Sequence, residues 1–257
     1  MRSILESAGR CLLCAAGLAS LLAADDKPPP AKKPPRVALA HPLAVPTGRT
    51  TKVVLRGWEL EQVTEVRLSR ADVQLKLLGK AKATVPNKQD AKQVGDSQLE
   101  LELTVAAEPA HGELTLVLAA PETESPPYSL LLGASEPRID EVESNDGFRQ
   151  AQPIRVPQVV DGAIHADQNV DVFVFDLAEP QTIVIEAIAQ RRGSALDSLL
   201  TLYDEHGKIV DSSDDTLGTT DSQIERLLSA GRYFLSLQDA HDRGGPAHPY
   251  RLVVRSP

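Results

Sequence analysis

Between Ser97 and Val105 apolar and polar side chains alternate strictly, with Leu99, Leu101, Leu103 and Val105 opposed to Glu100, Glu102 and Thr104. Successive side chains of an extended chain point to opposite faces, so this period of two predicts a strand with one buried and one wet face. Such strands belong to antiparallel sheets packed on one side. Shorter runs of the same kind occupy 37–40, 51–57, 64–69, 72–78, 113–119 and 128–132. About seven short strands in ~100 residues predict a β-sandwich over 37–134. The polar stretch 81–96 between them predicts a loop.

A second set of runs lies at 159–165, 170–176, 181–188, 198–204, 208–211, 224–228, 232–238 and 248–255. It predicts a second sandwich over 141–257, joined to the first by a linker at 135–140. The run VDVFVFD at 170–176 is apolar on both faces apart from Asp171 and predicts a central strand. Gly207, after Asp204-Glu205-His206, suits the left-handed position of a short hairpin loop. The chain is therefore read as all-β, two β-sandwich domains behind an N-terminal leader.

That leader is residues 1–24. Arg2 and Arg10 precede the apolar stretch Cys11 to Ala24, which is shorter than the ~20 residues a spanning helix needs. A cleaved signal peptide is expected, with no transmembrane segment in the mature chain and an exported location, periplasmic, cell-surface or extracellular. Cys14 lacks the small residue expected before a lipidated cysteine. Residues 25–36, DDKPPPAKKPPR, are a Pro/Lys-rich linker that favours extended polyproline II.

Composition narrows the chemistry. The two cysteines, Cys11 and Cys14, both lie in the leader, so neither a disulfide framework nor a thiolate site is expected after cleavage. Aromatics make up 4% of the chain, so the cores must be built from Val, Leu, Ile and Ala. The net charge is −9, and residues 139–257 hold 20 acidic against 10 basic side chains. Nucleic acid and anionic membranes are thus poor partners, and divalent cations or basic surfaces better ones.

Catalytic signatures are not expected to be found. None of the six histidines sits in H-E-x-x-H, and Gly193-Ser194-Ala195 is no nucleophile elbow. Asp239, His241 and His248 in a Gly/Pro-rich loop are the one zinc combination worth checking. The acidic group Asp211, Asp214, Asp215 and Asp221 reads as turn-capping residues, with a second cation site as the alternative. Asp197 reads as a structural hydrogen-bonding residue, with Arg251 a candidate partner. Trp58 is expected at the edge of the first sandwich, a binding residue if exposed. Tyr203 and Tyr233 fall on strands and are the tyrosines to check as surface contacts.

Residues 44–60, with Pro46, Gly48, Gly57 and Leu60, resemble the opening of an immunoglobulin-like IPT/TIG domain, the resemblance fading after about residue 80. Residues 139–256 resemble the bacterial pre-peptidase C-terminal domain family more extensively. Its landmarks are Glu141-Val142-Glu143-Ser144-Asn145-Asp146, Asp161-Gly162, Asp171-Val172-Phe173, Leu202-Tyr203-Asp204, Gly231-Arg232-Tyr233 and Tyr250-Arg251-Leu252. The resemblance implies an immunoglobulin-like N-terminal sandwich and a jelly-roll-like C-terminal one. It also implies a calcium (Ca2+) site, because collagen-binding members of that family bind calcium through the opening signature and an acidic strand. Carried over, the ligands are Glu141, Glu143, Asn145, Asp146 and Asp171. Gln168 and Asn169 stand where calcium-binding members carry another acid; Asp167 is a substitute donor, and Asn169 retains a carbonyl oxygen. The alternative is that the signature pins the linker by hydrogen bonds alone.

The chain is therefore expected to be a secreted, non-catalytic binding or scaffolding protein at the cell envelope or extracellular matrix. Its partners would be an extracellular protein or polysaccharide surface. The alternatives are an accessory subunit of a secreted protease and a purely structural envelope component.

Overall fold

A computed structural model describes residues 32–257, apart from 87, 88, 108–110 and 217. The expected signal peptide and residues 25–31 of the Pro/Lys linker lie outside the described residues. The protein is all-β. In the N-terminal half the strands are β1 (Arg36–His41), β2 (Ala44–Val45), β3 (Thr50–Trp58), β4 (Glu65–Leu68), β5 (Val73–Lys82), β6 (Ser97–Val105), β7 (His111–Ala120), β8 (Thr123–Glu124) and β9 (Tyr128–Gly133). They form two sheets, ordered β1-β3-β6-β5 and β2-β9-β7-β4, with β8 paired to β7. The alternation in β6 is realised as expected: Leu99, Leu101 and Leu103 are fully buried, packed with Val53 and Leu55 of the adjacent β3 and with Leu114, Leu116 and Leu118 of β7 in the other sheet.

The C-terminal half comprises β10 (Arg138–Asp140), β11 (Gln152–Pro153), β12 (Gln158–Ala163), β13 (Val170–Leu177), β14 (Gln181–Ile188), β15 (Ser198–Asp204), β16 (Ile209–Ser213), β17 (Gln223–Leu228), β18 (Gly231–Asp239) and β19 (Pro249–Arg255). Its sheets are ordered β10-β12-β19-β14-β17 and β11-β13-β18-β15-β16. The core between them is aliphatic with Phe173, Phe175, Tyr233 and Tyr250 added. Among the described residues no helix is long and apolar enough to cross a membrane.

Three departures from the sequence reading matter for the site. First, β2, β10 and β11 are strands of two or three residues that pair in parallel with β9, β12 and β13. Segments this short show no period, so the pattern of side chains could not announce them. Second, the expected loop 81–96 carries the end of β5 and a helical turn, Ala91–Val94. It is held by Arg56, a buried guanidinium that donates to the carbonyls of Thr84, Val94 and Gly95. Third, Arg251 does not reach Asp197. Its Nε and Nη2 donate to the two oxygens of Asp161 at 2.6 and 2.9 Å, and Nη1 donates to Gly133 O at 2.8 Å. Asp161 also accepts from Arg138 Nε at 2.5 Å. Asp197 instead lies beside His241, with Oδ2 3.3 Å from Nδ1. The Arg251 guanidinium therefore ties the end of β9 to the β12–β19 ladder.

The two halves also share apolar contacts. Leu39, Leu43 and Val94 from the first pack with Ala247 from the second in a small separate cluster.

Candidate carboxylate site

The segment between β10 and β11 passes over one end of the second sandwich, and its side chains converge on Tyr250 and Asp171. Glu141 is anchored by its backbone, Glu141 N donating to Asp161 O at 2.9 Å. Its carboxylate accepts from the Tyr250 hydroxyl at 2.7 Å, from Asn145 Nδ2 at 3.2 Å and from the Ala163 amide at 2.9 Å. The Tyr250 hydroxyl also lies 2.8 Å from Asp171 Oδ2. It has a single proton to give, so at any moment it can donate to only one of these two carboxyl groups.

Glu143 accepts from the Asn145 amide at 3.2 Å and lies 2.8 Å from His165 Nδ1. Oxygens of Glu141, Glu143 and Asp171 all lie within 4.8 Å of one another. Asn145 and Asp171 have no exposed surface, and Asn145 Oδ1 and Asp171 Oδ1 are buried without a hydrogen-bond partner among the described residues. Buried polar atoms are nearly always paired. Two orphaned acceptors beside a knot of carboxylates therefore mark a place where a donor or a cation belongs.

The electrostatics agree. Burial, reinforced by the Glu141 and Glu143 carboxylates and opposed by the Tyr250 hydrogen bond, pushes the Asp171 carboxyl up to about 10. Burial first, then the charges of Asp171 and Glu141, raise the Tyr250 phenol well above its ordinary value. Without a cation, the raised Asp171 carboxyl favours its protonated form at neutral pH, because its own burial and the neighbouring carboxylates both oppose a negative charge there.

Glycine at 162 is required by this packing. A Cβ there would stand 2.5 Å from Glu141 Oε2 and 2.7 Å from the Tyr250 ring and hydroxyl. Gly162→Ala must displace the buried tyrosine or its carboxylate partner, and we expect it to lower stability by about 1–3 kcal/mol. Urea denaturation measures this; an unchanged midpoint would mean that the tyrosine is not fixed by its two carboxylates.

Of the five residues expected as ligands, the fold brings Glu141, Glu143, Asn145 and Asp171 together. Asp146 is turned to the segment before β13, where its Oδ1 accepts from Asn169 Nδ2 at 2.9 Å. The Asn169 carbonyl accepts from the His165 amide and the Asp167 carboxylate from the Gly244 amide, so both are engaged in pinning loops. Tyr250 and the Ala163 amide belong to the site and were not anticipated. Tyr250 reads in sequence as a core residue, and a backbone donor has no sequence signal at all.

The other predicted residues separate by environment. Trp58 is half-buried; its indole N–H donates to Ala91 O at 2.8 Å, and the Arg36 guanidinium lies 4.1 Å from the ring centroid. Tyr233 is a core residue rather than a surface contact. It stacks on Phe175 with centroids 5.8 Å apart, and its hydroxyl donates to Ser229 O. Tyr203 is half-buried and meets Phe148 edge-on, while Phe148 stacks on Phe234 at 4.8 Å and stays 43% exposed. Sequence gave no hint of this aromatic trio, because Phe148 arrives from an irregular segment.

Asp221 caps the amides of Ala189 and Gln190, as a turn residue should. Asp214 and Asp215 gather with Asp197 rather than with Asp211 and Asp221. Burial raises the Asp197 carboxyl, with His241 opposing and Asp215, Asp239 and Asp214 adding. Asp239 spends its carboxylate on the amides of Asp197, His241 and Arg243, and His248 is buried against Gln89, so the zinc trio does not converge.

Fold and site together define an all-β protein of paired sheets with a carboxylate cluster, buried at Asp171 and open to solvent at Glu143, at one end of the second pair. No family model matches the sequence, and no curated protein matches it. Among solved structures it is similar to the pre-peptidase C-terminal domain of a collagenase from Bacillus anthracis, at 17% identity and TM-score 0.35, covering 40% of this chain and 93% of that one. It is also similar to SGBP-B, from the mixed-linkage glucan utilization locus of Bacteroides ovatus, in complex with a heptasaccharide (8% identity, TM-score 0.26, 79% of this chain and 74% of that one). A third is the secreted serine protease VesC from Vibrio cholerae (8% identity, TM-score 0.28, 82% of this chain and 47% of that one). With every score below 0.5, these likenesses assign the chain neither a family nor a function.

Proposed function

We propose that this is an exported, non-catalytic binding or scaffolding protein whose segment 141–146 is a calcium clasp. The observation that carries this reading is the pair of buried, unpartnered oxygens, Asn145 Oδ1 and Asp171 Oδ1, beside the carboxylates of Glu141 and Glu143. Calcium takes six to eight hard oxygen ligands. Four side chains supply oxygens of the right kind, and water or backbone carbonyls complete the shell. A bound cation neutralises the cluster, so Asp171 can lose its proton and both orphaned acceptors gain a partner. The clasp fastens the lead-in of the second sandwich to β13 and β19 and stiffens its junction with the first.

Thermal unfolding of the leader-free protein, with calcium and with EDTA, tests the proposal. Calcium at ~100 times its dissociation constant should add about 2.7 kcal/mol. For a chain of this size that raises the melting temperature by roughly 5–10 °C. Glu143→Ala should abolish most of the shift. No shift at millimolar calcium would leave the segment a hydrogen-bonded linker and overturn the clasp. A catalytic protease co-purifying in stoichiometric amount from the exported fraction would replace scaffolding by an accessory role.

A further inference from the structure

Where the two pairs of sheets meet, a cavity of about 380 Å³ opens with a polar rim: Gln89 and Gln93 from the first half, Gln190, Ser194 and Arg243 from the second. Its apolar surface is limited to small groups such as Val94 and Ala195. It shares no lining residue with the carboxylate cluster. Ligand sites are commonly found between packed units and at this size.

The groups on the rim are not spent on each other. Arg243 makes no ion pair among the described residues, all of whose ion pairs lie elsewhere. The Gln89 carboxamide is turned inward, its Oε1 without exposed surface and its amide nitrogen 3.2 Å from Nε2 of the buried His248, so this side chain contributes its stem to the cavity wall. Among the described residues the Gln190 side chain engages only through its carbonyl, accepting from Thr219 Oγ1 at 3.0 Å. The exposed carboxamides of Gln93 and Gln190 line the cavity, and each carries both donor and acceptor atoms. An alcohol hydroxyl, itself donor and acceptor, is the complementary group. A planar guanidinium without a counter-ion matches a carboxylate, which it binds through two parallel hydrogen bonds.

We propose that this cavity binds a small hydroxylated carboxylate of the sugar-acid class, with Arg243 on the carboxylate and Gln93 and Gln190 on the hydroxyls. The acidic balance of the chain opposes an anion at long range, so affinity rests on these direct contacts and is modest. The ligand touches both halves of the protein and so couples them. The same chemistry is offered by a free uronic acid and by one unit of an acidic polysaccharide.

Ligand-observed NMR titration of the leader-free protein with D-glucuronate, at fixed calcium, tests this. Glucose and acetate serve as the half-ligands, and a glucuronate trisaccharide as the polymer probe. Glucuronate should bind at least tenfold tighter than either half-ligand. Arg243→Met should weaken it by about tenfold or more, the loss of a charge-assisted contact. Arg243 is exposed, so the variant should melt like the parent without ligand; Gln93→Leu, also on the rim, should weaken glucuronate and leave acetate unchanged. A trisaccharide that binds tighter than the monomer assigns the site to polysaccharide, and equal binding assigns it to the free acid. Failure of glucuronate to bind, acetate binding equally well, or an unaltered affinity in Arg243→Met would each overturn the proposal. A positive calcium shift with no glucuronate binding sinks this inference and leaves the clasp standing.

Discussion

Asp161→Ala is expected to lower the stability of the protein by about 3–5 kcal/mol, the cost of leaving a buried charge without its partner. Arg251 loses its carboxylate partner outright, and Arg138 keeps only the exposed Asp140. Arg251 is 5% exposed and Asp161 7%, so water cannot replace the carboxylate without the sheet opening. The loss should also be felt across the junction, because the same Arg251 that pairs with Asp161 donates to Gly133 O at the end of β9. Urea denaturation should show a lower midpoint and, where the halves uncouple, two transitions in place of one. The double variant Asp161→Leu with Arg251→Met should recover much of the loss, since a buried ion pair replaced by apolar groups of similar size is often close to neutral. A single variant that costs less than 1 kcal/mol would mean that the junction is solvated and the network incidental.

The contrast between this network and the rest of the fold explains what could be read in advance. Leu99, Leu101 and Leu103 reveal their strand because burial recurs every second residue. The same reasoning finds β13, whose Val172, Phe173 and Phe175 leave neither face wet. Pattern fails where a residue's environment is set by a distant one. Asp161 and Arg251 sit on strands among apolar neighbours, and nothing local says that they face one another across the β12–β19 ladder. β5 runs past its apolar stretch to Lys82 through an irregularity between Leu77 and Gly79, and its outer lysines read as loop. At the carboxylate site the fold places Glu141, Glu143, Asn145 and Asp171 of the ordered motif beside one another. Asp146, expected to reach toward the neighbouring strand, meets Asn169 just ahead of β13 and stands apart from the three carboxylates. The Tyr250 hydroxyl and the buried orphan oxygens, which decide the chemistry, depend on three-dimensional closure.

Those orphan oxygens make the second large effect one of opposite sign with and without calcium. An unfolded aspartate has a pKa of about 3.9, whereas the buried Asp171 carboxyl is pushed up to about 10. Between these values the folded state holds a proton that the unfolded state has lost. The protons bound by the unfolded state minus those bound by the folded state is then negative, and stability falls as pH rises. In EDTA the protein should therefore lose roughly 1 kcal/mol per pH unit from this group between pH 5 and 8. Burial depresses the His41 and His248 imidazoles, whose contribution runs the other way, being lost as pH falls. The comparison is consequently made against Asp171→Asn, which retains both histidines. Its amide is neutral at every pH and can donate to Glu141 as the protonated carboxyl does. In EDTA the variant should match the parent near pH 5 and exceed it by several kcal/mol at pH 8. With saturating calcium the order should reverse, since the cation needs the ionised carboxylate and its binding strengthens as that proton leaves. The difference in unfolding free energy between parent and variant, followed from pH 5 to 8 in both conditions, separates the two readings of this segment. Parallel pH profiles in EDTA would mean that Asp171 is ionised and solvated in the folded protein, and the argument for a cation from its burial would fall with it.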